Sequence, residues 1–144
     1  MRGLAWLAVC GAAAGCAVPA TGPLASYRIT GDAIVAPLTA ESGNPERGRE
    51  IFAGRHANCF LCHTVPGGRF MGNLASPLAG VGARLNEGQL RLRIVDSARL
   101  NRDTIMPSYY RTDGLNQVAA AWRGKPLLTA QEIEDTIAYL LTLR

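Results

Sequence analysis

Cysteine, histidine and clustered basic residues are all scarce in this chain, and each scarcity excludes a class of function. The 144 residues include four cysteines and two histidines, and no second C-x-x-C or H-x-x-x-H completes a typical zinc site. The net charge is +4, but Lys and Arg form no cluster of the kind that contacts nucleic acid. Residues 3–14 carry no charge, yet this run is too short to span a bilayer comfortably.

The N-terminus has the features of an export signal. A short positive start precedes the apolar residues 3–14, which are rich in alanine and glycine. Residues 13–16 (Ala-Ala-Gly-Cys) resemble a lipoprotein cleavage box, whereas residues 18–20 (Val-Pro-Ala) fit ordinary signal-peptidase cleavage. We therefore expect a signal peptide over residues 1–20 and a periplasmic protein. Lipid on Cys16 would anchor that protein to a membrane, and the two cleavage alternatives stay open.

The motif Cys59-Phe60-Leu61-Cys62-His63 is the sequence in which haem is attached covalently. Two cysteines three positions apart lie about one turn apart on one face of a helix. Both thiols can therefore bond the vinyl groups along one edge of a porphyrin. The adjacent His63 is then carried under the iron, where its imidazole serves as the proximal ligand. We expect one covalently attached haem c held by Cys59 and Cys62.

Two other interpretations of the motif are weaker. A thioredoxin-like redox pair requires a βαβ context and gives the following histidine no role. A zinc site could draw on His56 together with Cys59, Cys62 and His63, but adjacent Cys62 and His63 suit a single tetrahedron poorly. A structural disulfide is the remaining alternative.

The count of thiols limits the chemistry that this chain can perform alone. Cleavage of the signal removes Cys10, and Cys16 is either removed with it or lipidated. Haem attachment then consumes the two cysteines that remain. No thiol is left for nucleophilic catalysis, so the sequence favours electron transfer.

The sixth iron ligand must come from Met71, Met106 or His56 once the signal is removed. A turn at residues 66–68 (Pro-Gly-Gly) keeps Met71 near the proximal side, and His56 belongs to the same local turn as Cys59. Met106 lies beyond an intervening helix, and Pro107 stiffens the backbone of its loop. We predict His63/Met106 ligation. A thioether raises the reduction potential and leaves no open site for a small molecule.

The chain beyond the signal is predicted to form one all-α domain with long loops. Residues 21–43 are rich in Pro, Gly, Ser and Thr, which indicates an extended arm or linker, and residues 44–144 form the domain. Helices are predicted at residues 44–55, 86–99 and 113–123, and after the capping box at residues 129–132. Gly48 should let the first helix cross the last one closely, with Phe52 contacting Tyr139 and Leu140.

From residues 77–84 (PLAGVGAR) onward the sequence resembles class I cytochromes c. Three further segments together resemble the SoxX family, the monohaem class I cytochrome c subunits of the SoxAX complex. They are residues 91–96 (RLRIVD), 106–111 (MPSYYR) and 124–132 (GKPLLTAQE). The resemblance implies a class I cytochrome c-like helical domain wrapped around one haem. It also implies a subunit of an L-cysteine S-thiosulfotransferase complex that couples thiosulfate oxidatively to a cysteine of a carrier protein. This chain would carry the electron-transfer haem and no bond-making site.

The same resemblance implies partners and surroundings for the haem. The partners are a SoxA-type cytochrome in a heterodimer, a sulfur-carrier protein, and a small soluble cytochrome c that accepts the electrons. The Pro77 carbonyl would accept a hydrogen bond from His63, while Arg84, Tyr109 and Tyr110 would bind the propionates or line the pocket. The alternatives are a stand-alone periplasmic electron carrier and a cytochrome subunit of a membrane oxidase.

Overall fold

The computed structural model describes residues 24–69 and 71–144, and the predicted signal peptide with Cys16 lies outside them. The four α-helices of this part are α1 (Pro45–Ala53), α2 (Val81–Arg84), α3 (Glu87–Asp96) and α4 (Ala130–Thr142). Three 3₁₀ turns cover Cys59–Leu61, Ser97–Arg99 and Ala120–Trp122. Apart from an isolated bridge between Thr30 and Ala33, no β-structure occurs among the described residues. The predicted all-α class is confirmed.

Helices α1 and α4 begin where their caps were predicted and cross each other closely. The Asn44 side chain accepts the Arg47 N–H at 2.8 Å, and the Thr129 hydroxyl accepts the Glu132 N–H at 3.1 Å. A Cβ on Gly48 would collide with the backbone carbonyl of Asp135, so the two backbones are in direct contact there. The Phe52 and Tyr139 rings lie 5.4 Å apart at the same crossing, which confirms the predicted contact.

Replacing Gly48 by alanine is expected to destabilise the protein by about 3 kcal/mol, because the added methyl group forces the two helix backbones apart. The carbonyl that it meets belongs to helix α4 and cannot rotate away as a side chain would. Urea unfolding followed by far-UV circular dichroism measures this loss. Gly67→Ala serves as the control, because a Cβ at Gly67 meets no atom within 4 Å. Any loss of stability in that variant comes only from the positive φ of the residue. Equal losses at both positions would contradict the predicted crossing.

Helix α3 matches the predicted helix at residues 86–99, because it continues into the 3₁₀ turn Ser97–Arg99. Its capping box joins Asn86 and Gln89 in both directions. This box starts α3 directly after α2. Helix α2 itself was not predicted.

The predicted helix at residues 113–123 is wrong, since only the turn Ala120–Trp122 forms there. Gly114 and Gln117 have φ values of 63° and 55°, and two residues in the left-handed region interrupt any helix. Leu115, which should have faced the core, is exposed. Apolar residues at helical spacing do not form a stable helix when their face has no surface to pack against.

Residues 24–43 lie against the helices, although their composition indicated a linker. Ile34 and Leu38 are buried in the core. The Arg91 guanidinium on α3 donates to Glu134 on α4 through two bonds of 2.7 Å each and to the Ile34 carbonyl at 2.7 Å. Glu134 also accepts the Leu38 N–H at 2.8 Å. This buried ion pair attaches residues 24–43 to the junction of α3 and α4.

Among residues 24–69 and 71–144, no helix is both long enough and apolar enough to cross a membrane.

Candidate haem-binding site

The C-x-x-C-H segment forms a tight turn that brings its two cysteines to one side. Cys59–Leu61 is a 3₁₀ turn, in which residues three apart eclipse each other. The Cys62 N–H and the His63 N–H both donate to the Cys59 carbonyl, at 3.2 and 2.9 Å. The turn starts from Asn58, whose φ of 47° is left-handed, a conformation that asparagine tolerates. The spacing predicted from the motif is thus present in the fold.

The loop that follows the motif is fastened to it by backbone hydrogen bonds. The N–H groups of Gly72, Ala75 and Leu78 donate to the carbonyls of Phe60, Cys62 and Thr64, at 2.7, 3.0 and 2.9 Å. A Cβ on Gly72 would collide with the Leu61 carbonyl, so only glycine allows the first of these bonds. The loop is therefore held against the turn that carries both cysteines.

This loop supplies the hydrogen-bond partner of His63, but the partner is Ser76 and not Pro77. His63 Nδ1 lies 2.8 Å from the Ser76 carbonyl oxygen, so the predicted Pro77 carbonyl is wrong by one residue. The bonds made by Ala75 and Leu78 bracket Ser76 and direct its carbonyl at the ring. Pro77 contributes by restricting the preceding residue to an extended backbone. Nδ1 is thereby engaged, which leaves Nε2 as the nitrogen available to a metal.

A cavity of about 480 Å³ opens beside this turn and contains most of the predicted site. Its size lies within the usual range for cofactor pockets. Apolar side chains from α1, α3, α4 and the loops form most of its wall. The lining includes Phe52, Cys59, Cys62, His63, Leu78, Val81, Leu85, Leu90, Ile94, Met106, Tyr109, Leu128 and Leu140. The two cysteines and the histidine of the motif thus line one cavity together with Met106.

The two other candidates for the sixth ligand lie outside this lining. The Met71 sulfur lies 3.2 Å from the Val65 nitrogen, close enough to accept its N–H, and Met71 packs beside Gly68. The His56 ring is exposed and lies against Trp122, with 4.9 Å between the ring centroids. Of the three candidates, the structure brings only Met106 to the cavity that contains His63.

Zinc was the main rival to haem, and the geometry does not bring its ligands together. Within residues 24–69 and 71–144, no group of three His, Cys, Asp or Glu side chains is arranged to hold a metal ion. Cys59 and Cys62 are both free thiols, so they do not form the alternative disulfide in this structure.

Tyr109 connects the segment that contains Met106 to the residues just before the C-x-x-C-H turn. The Tyr109 hydroxyl donates to the Ala57 carbonyl at 2.8 Å. Ala57 lies two residues before Cys59, and Tyr109 lies three residues after Met106. Burial raises the pKa of the Tyr109 phenol far above its ordinary value. Burial also raises the pKa of the Cys59 thiol to about 11. Both groups are therefore neutral near pH 7.

The other residues that the resemblance implied do not line the cavity. Arg84 is exposed and donates to the Ala79 carbonyl at 2.6 Å. The Tyr110 hydroxyl accepts the Ala25 N–H at 2.8 Å, and its ring lies 6.4 Å from that of Tyr27. Tyr110 thus holds residues 24–43 and faces away from the cavity, because neighbouring residues of an extended segment point to opposite sides.

Arg93 is a residue of the site that sequence reasoning missed. It is the only Lys or Arg in the described lining of the cavity, and its Nη1 donates to the Gln89 carbonyl at 2.8 Å. Asn101 and Thr104 lie in the same lining, which gives the cavity a polar side. The helical spacing of Arg93 from Leu90 was the available signal, since residues three apart share a face.

Replacing Arg93 by glutamine in the haem-loaded protein is expected to lower the reduction potential by about 40 mV. A nearby cation disfavours the more positive Fe(III) state by about 1 kcal/mol at the dielectric of a protein surface. For a one-electron couple, a tenfold change in the equilibrium constant corresponds to 59 mV, so about 1 kcal/mol corresponds to about 40 mV. Spectroelectrochemical titration measures the shift. Arg84→Gln is the matched control, because Arg84 lies outside the lining, and an equal shift in both variants would contradict the assignment.

The residues of this site fit a haem group. Two free thiols stand three positions apart on one turn, and an imidazole has Nδ1 already bonded to a carbonyl. A thioether and a mostly apolar wall complete the cavity. These are the donors and surroundings that a covalently attached haem requires.

The fold and the site together define an all-α domain built to bind haem through a C-x-x-C-H turn. The family model for cytochrome c matches residues 45–144, and the chain therefore belongs to the cytochrome c family.

The chain is also similar to a solved structure, the crystal structure of SoxXA from P. pantotrophus. The two are 36% identical with a TM-score of 0.74, and the match covers 81% of this chain and 93% of that one. This finding and the family model confirm the resemblance that the sequence motifs indicated. No curated protein matches the chain.

Proposed function

We propose that this chain is the electron-transfer subunit of a SoxAX-type complex. Its SoxA-type partner would join thiosulfate to a cysteine of a carrier protein, and the electrons would leave through this chain to a small cytochrome c. The single observation that carries the proposal is the match to a SoxXA chain over nearly its whole length. The C-x-x-C-H turn at the cavity would hold the haem, which is the redox group that such a subunit needs.

In this proposal, the residues of the cavity hold one haem. Cys59 and Cys62 would bond it covalently, and His63 through Nε2 and Met106 through its sulfur would bind the iron. When bound, the haem supplies a one-electron Fe(III)/Fe(II) couple. Ser76 fixes the His63 ring, and Phe52, Leu90 and the other apolar side chains exclude water.

The reaction assigned to the whole complex balances without a nucleophile on this chain. One carrier thiolate and one thiosulfate ion form an S–S bond and release two electrons. Those electrons pass singly, because a haem iron accepts one at a time. Haem attachment occupies Cys59 and Cys62, the two cysteines of the described residues, so the S–S bond would be made on the SoxA-type partner.

The proposal also includes export to the periplasm. Residues 1–20 would act as the signal peptide, and Cys16 would be either removed or lipidated. Mass spectrometry of the mature N-terminus distinguishes these two outcomes, since a lipid adds the mass of its acyl chains to Cys16.

The proposal is tested by purifying the full-length chain together with a SoxA-type cytochrome and adding thiosulfate with a cysteine-bearing carrier. We expect a stable heterodimer in size-exclusion chromatography and reduction of the haem in this chain, followed by its absorption. A carrier whose cysteine is replaced by alanine should give no reduction. Ascorbate provides a second control, because it reduces the haem directly and shows that the haem is redox-active.

A monomer that ascorbate reduces but thiosulfate does not would contradict the proposal. That result would favour the stand-alone electron carrier. Co-purification with integral membrane subunits in place of a SoxA-type cytochrome would favour the oxidase subunit.

A further inference from the structure

The segment that contains Met106 is fastened to the C-terminal end of α3. The Tyr109 N–H donates to the Ile94 carbonyl at 3.0 Å, and the Tyr110 N–H donates to the Val95 carbonyl at 3.3 Å. The last carbonyls of a helix have no partner within the helix, so this segment satisfies two of them. The end of α3 is therefore the support of the segment that contains Met106.

Two hydroxyl groups extend this support to Met106 itself. The Ser97 hydroxyl donates to the Met106 carbonyl at 2.7 Å, and the Ser108 hydroxyl donates to Asp96 Oδ1 at 2.8 Å. Pro107 lies between the two and has no N–H to donate. The backbone on both sides of Pro107 is thus held by side chains at the end of α3.

Asp96 occupies an electrostatically unfavourable position, which needs a reason. It is the last residue of α3, where the helix dipole disfavours a negative charge, and only 2% of it is exposed. Arg99 and Arg111 offset this cost, with nitrogen-to-oxygen distances of 3.5 and 3.4 Å. The contact of Asp96 that leads toward Met106 is the hydrogen bond from Ser108.

We infer that Asp96 and Ser97 are positioning residues that hold Met106 at the sixth coordination position of the haem iron. The inference rests on the proposed His63/Met106 ligation. Asp96 acts through Ser108, and Ser97 acts through the Met106 carbonyl. Without either bond the segment moves more freely, and the fraction of molecules in which Met106 has left the iron increases.

The test measures how fast carbon monoxide binds to the ferrous, haem-loaded protein, because carbon monoxide needs a vacant sixth position. In Ser108→Ala and Ser97→Ala the binding rate is expected to rise about 10-fold, the effect of losing one partly buried hydrogen bond. Ser108→Thr keeps the hydroxyl and should bind at the wild-type rate. Thr39→Ala is the matched control, since it removes a hydroxyl that bonds to Gln131 at 2.7 Å away from the cavity.

A second measurement separates positioning from general stability. The methionine-to-iron charge-transfer absorption and the far-UV circular dichroism are recorded through the same thermal ramp. In Ser108→Ala the absorption band should disappear well before the helices unfold, whereas in Thr39→Ala the two changes should keep their wild-type separation.

Two results would overturn the inference, and they differ from each other. If Ser108→Ala binds carbon monoxide no faster than Thr39→Ala while Met106→Ala binds it rapidly, the ligation stands and the positioning role fails. If Met106→Ala binds carbon monoxide no faster than the wild type, the ligation itself is wrong and the inference fails with it.

Discussion

Replacing Met106 by alanine in the haem-loaded protein is expected to abolish the methionine-to-iron charge-transfer absorption. It should also lower the reduction potential by on the order of 0.1 V, within the range of about 0.8 V over which axial ligands vary the potential. The physical reason is that a thioether favours Fe(II), whereas water or another oxygen ligand in its place favours Fe(III). Far-red absorption and spectroelectrochemical titration measure the two effects.

Met71→Ala is the matched control for this replacement. Met71 is also half-buried, but its sulfur lies beside the Val65 N–H and outside the lining of the cavity. The absorption band and the potential should therefore stay at their wild-type values in Met71→Ala. A band that survives in Met106→Ala, or one that disappears in Met71→Ala, would show that the sixth ligand is assigned wrongly.

The parts of the site that could be predicted from the sequence are those that depend on local spacing. Cys59, Cys62 and His63 are close in the chain, so a single turn brings them together whatever the rest of the fold does. The capping signals at Asn44 and Thr129 are local in the same sense, and both helices begin where they were predicted.

The parts that failed depend on contacts between distant segments. The Ser76 carbonyl is placed by hydrogen bonds from Ala75 and Leu78 to the motif, and a one-residue shift of that loop cannot be seen in the sequence. Arg84 and Tyr110 share segments with residues that line the cavity, but neither side chain is part of the lining. The predicted helix at residues 113–123 had suitable spacing and lacked a surface to pack against.

The role of residues 24–43 was missed for a related reason. They are rich in Pro, Gly, Ser and Thr, as linkers are, and their larger apolar residues fall in short patches without helical or strand periodicity. What orders them is the buried pair of Arg91 and Glu134, whose hydrogen bonds reach the backbone of Ile34 and Leu38. A charged pair separated by more than forty positions gives no local signal.

Replacing Glu134 by leucine is expected to destabilise the protein by about 3–5 kcal/mol, because the buried Arg91 charge loses its hydrogen-bonded carboxylate. The exposed Glu87 lies 4.0 Å from Arg91 Nη2, too far to replace those two hydrogen bonds. Only 1% of Arg91 is exposed, so water cannot take the place of the carboxylate. Urea unfolding of the haem-loaded protein measures the free energy of unfolding. Glu41→Leu is the matched control, since it breaks the exposed ion pair with Arg47, and a pair of that kind contributes at most about 1 kcal/mol.

The double replacement Arg91→Met with Glu134→Leu separates the cost of a buried charge from the loss of the attachment of residues 24–43. With no charge left unpaired, most of the destabilisation should disappear. The Ile34 carbonyl and the Leu38 N–H still lose their partners, because neither new side chain can hydrogen-bond. The double variant should thus approach wild-type stability and yet be cut by protease faster within residues 24–43. If Glu134→Leu costs no more than Glu41→Leu, or if the double variant stays as unstable as the single one, the ion pair does not organise this junction.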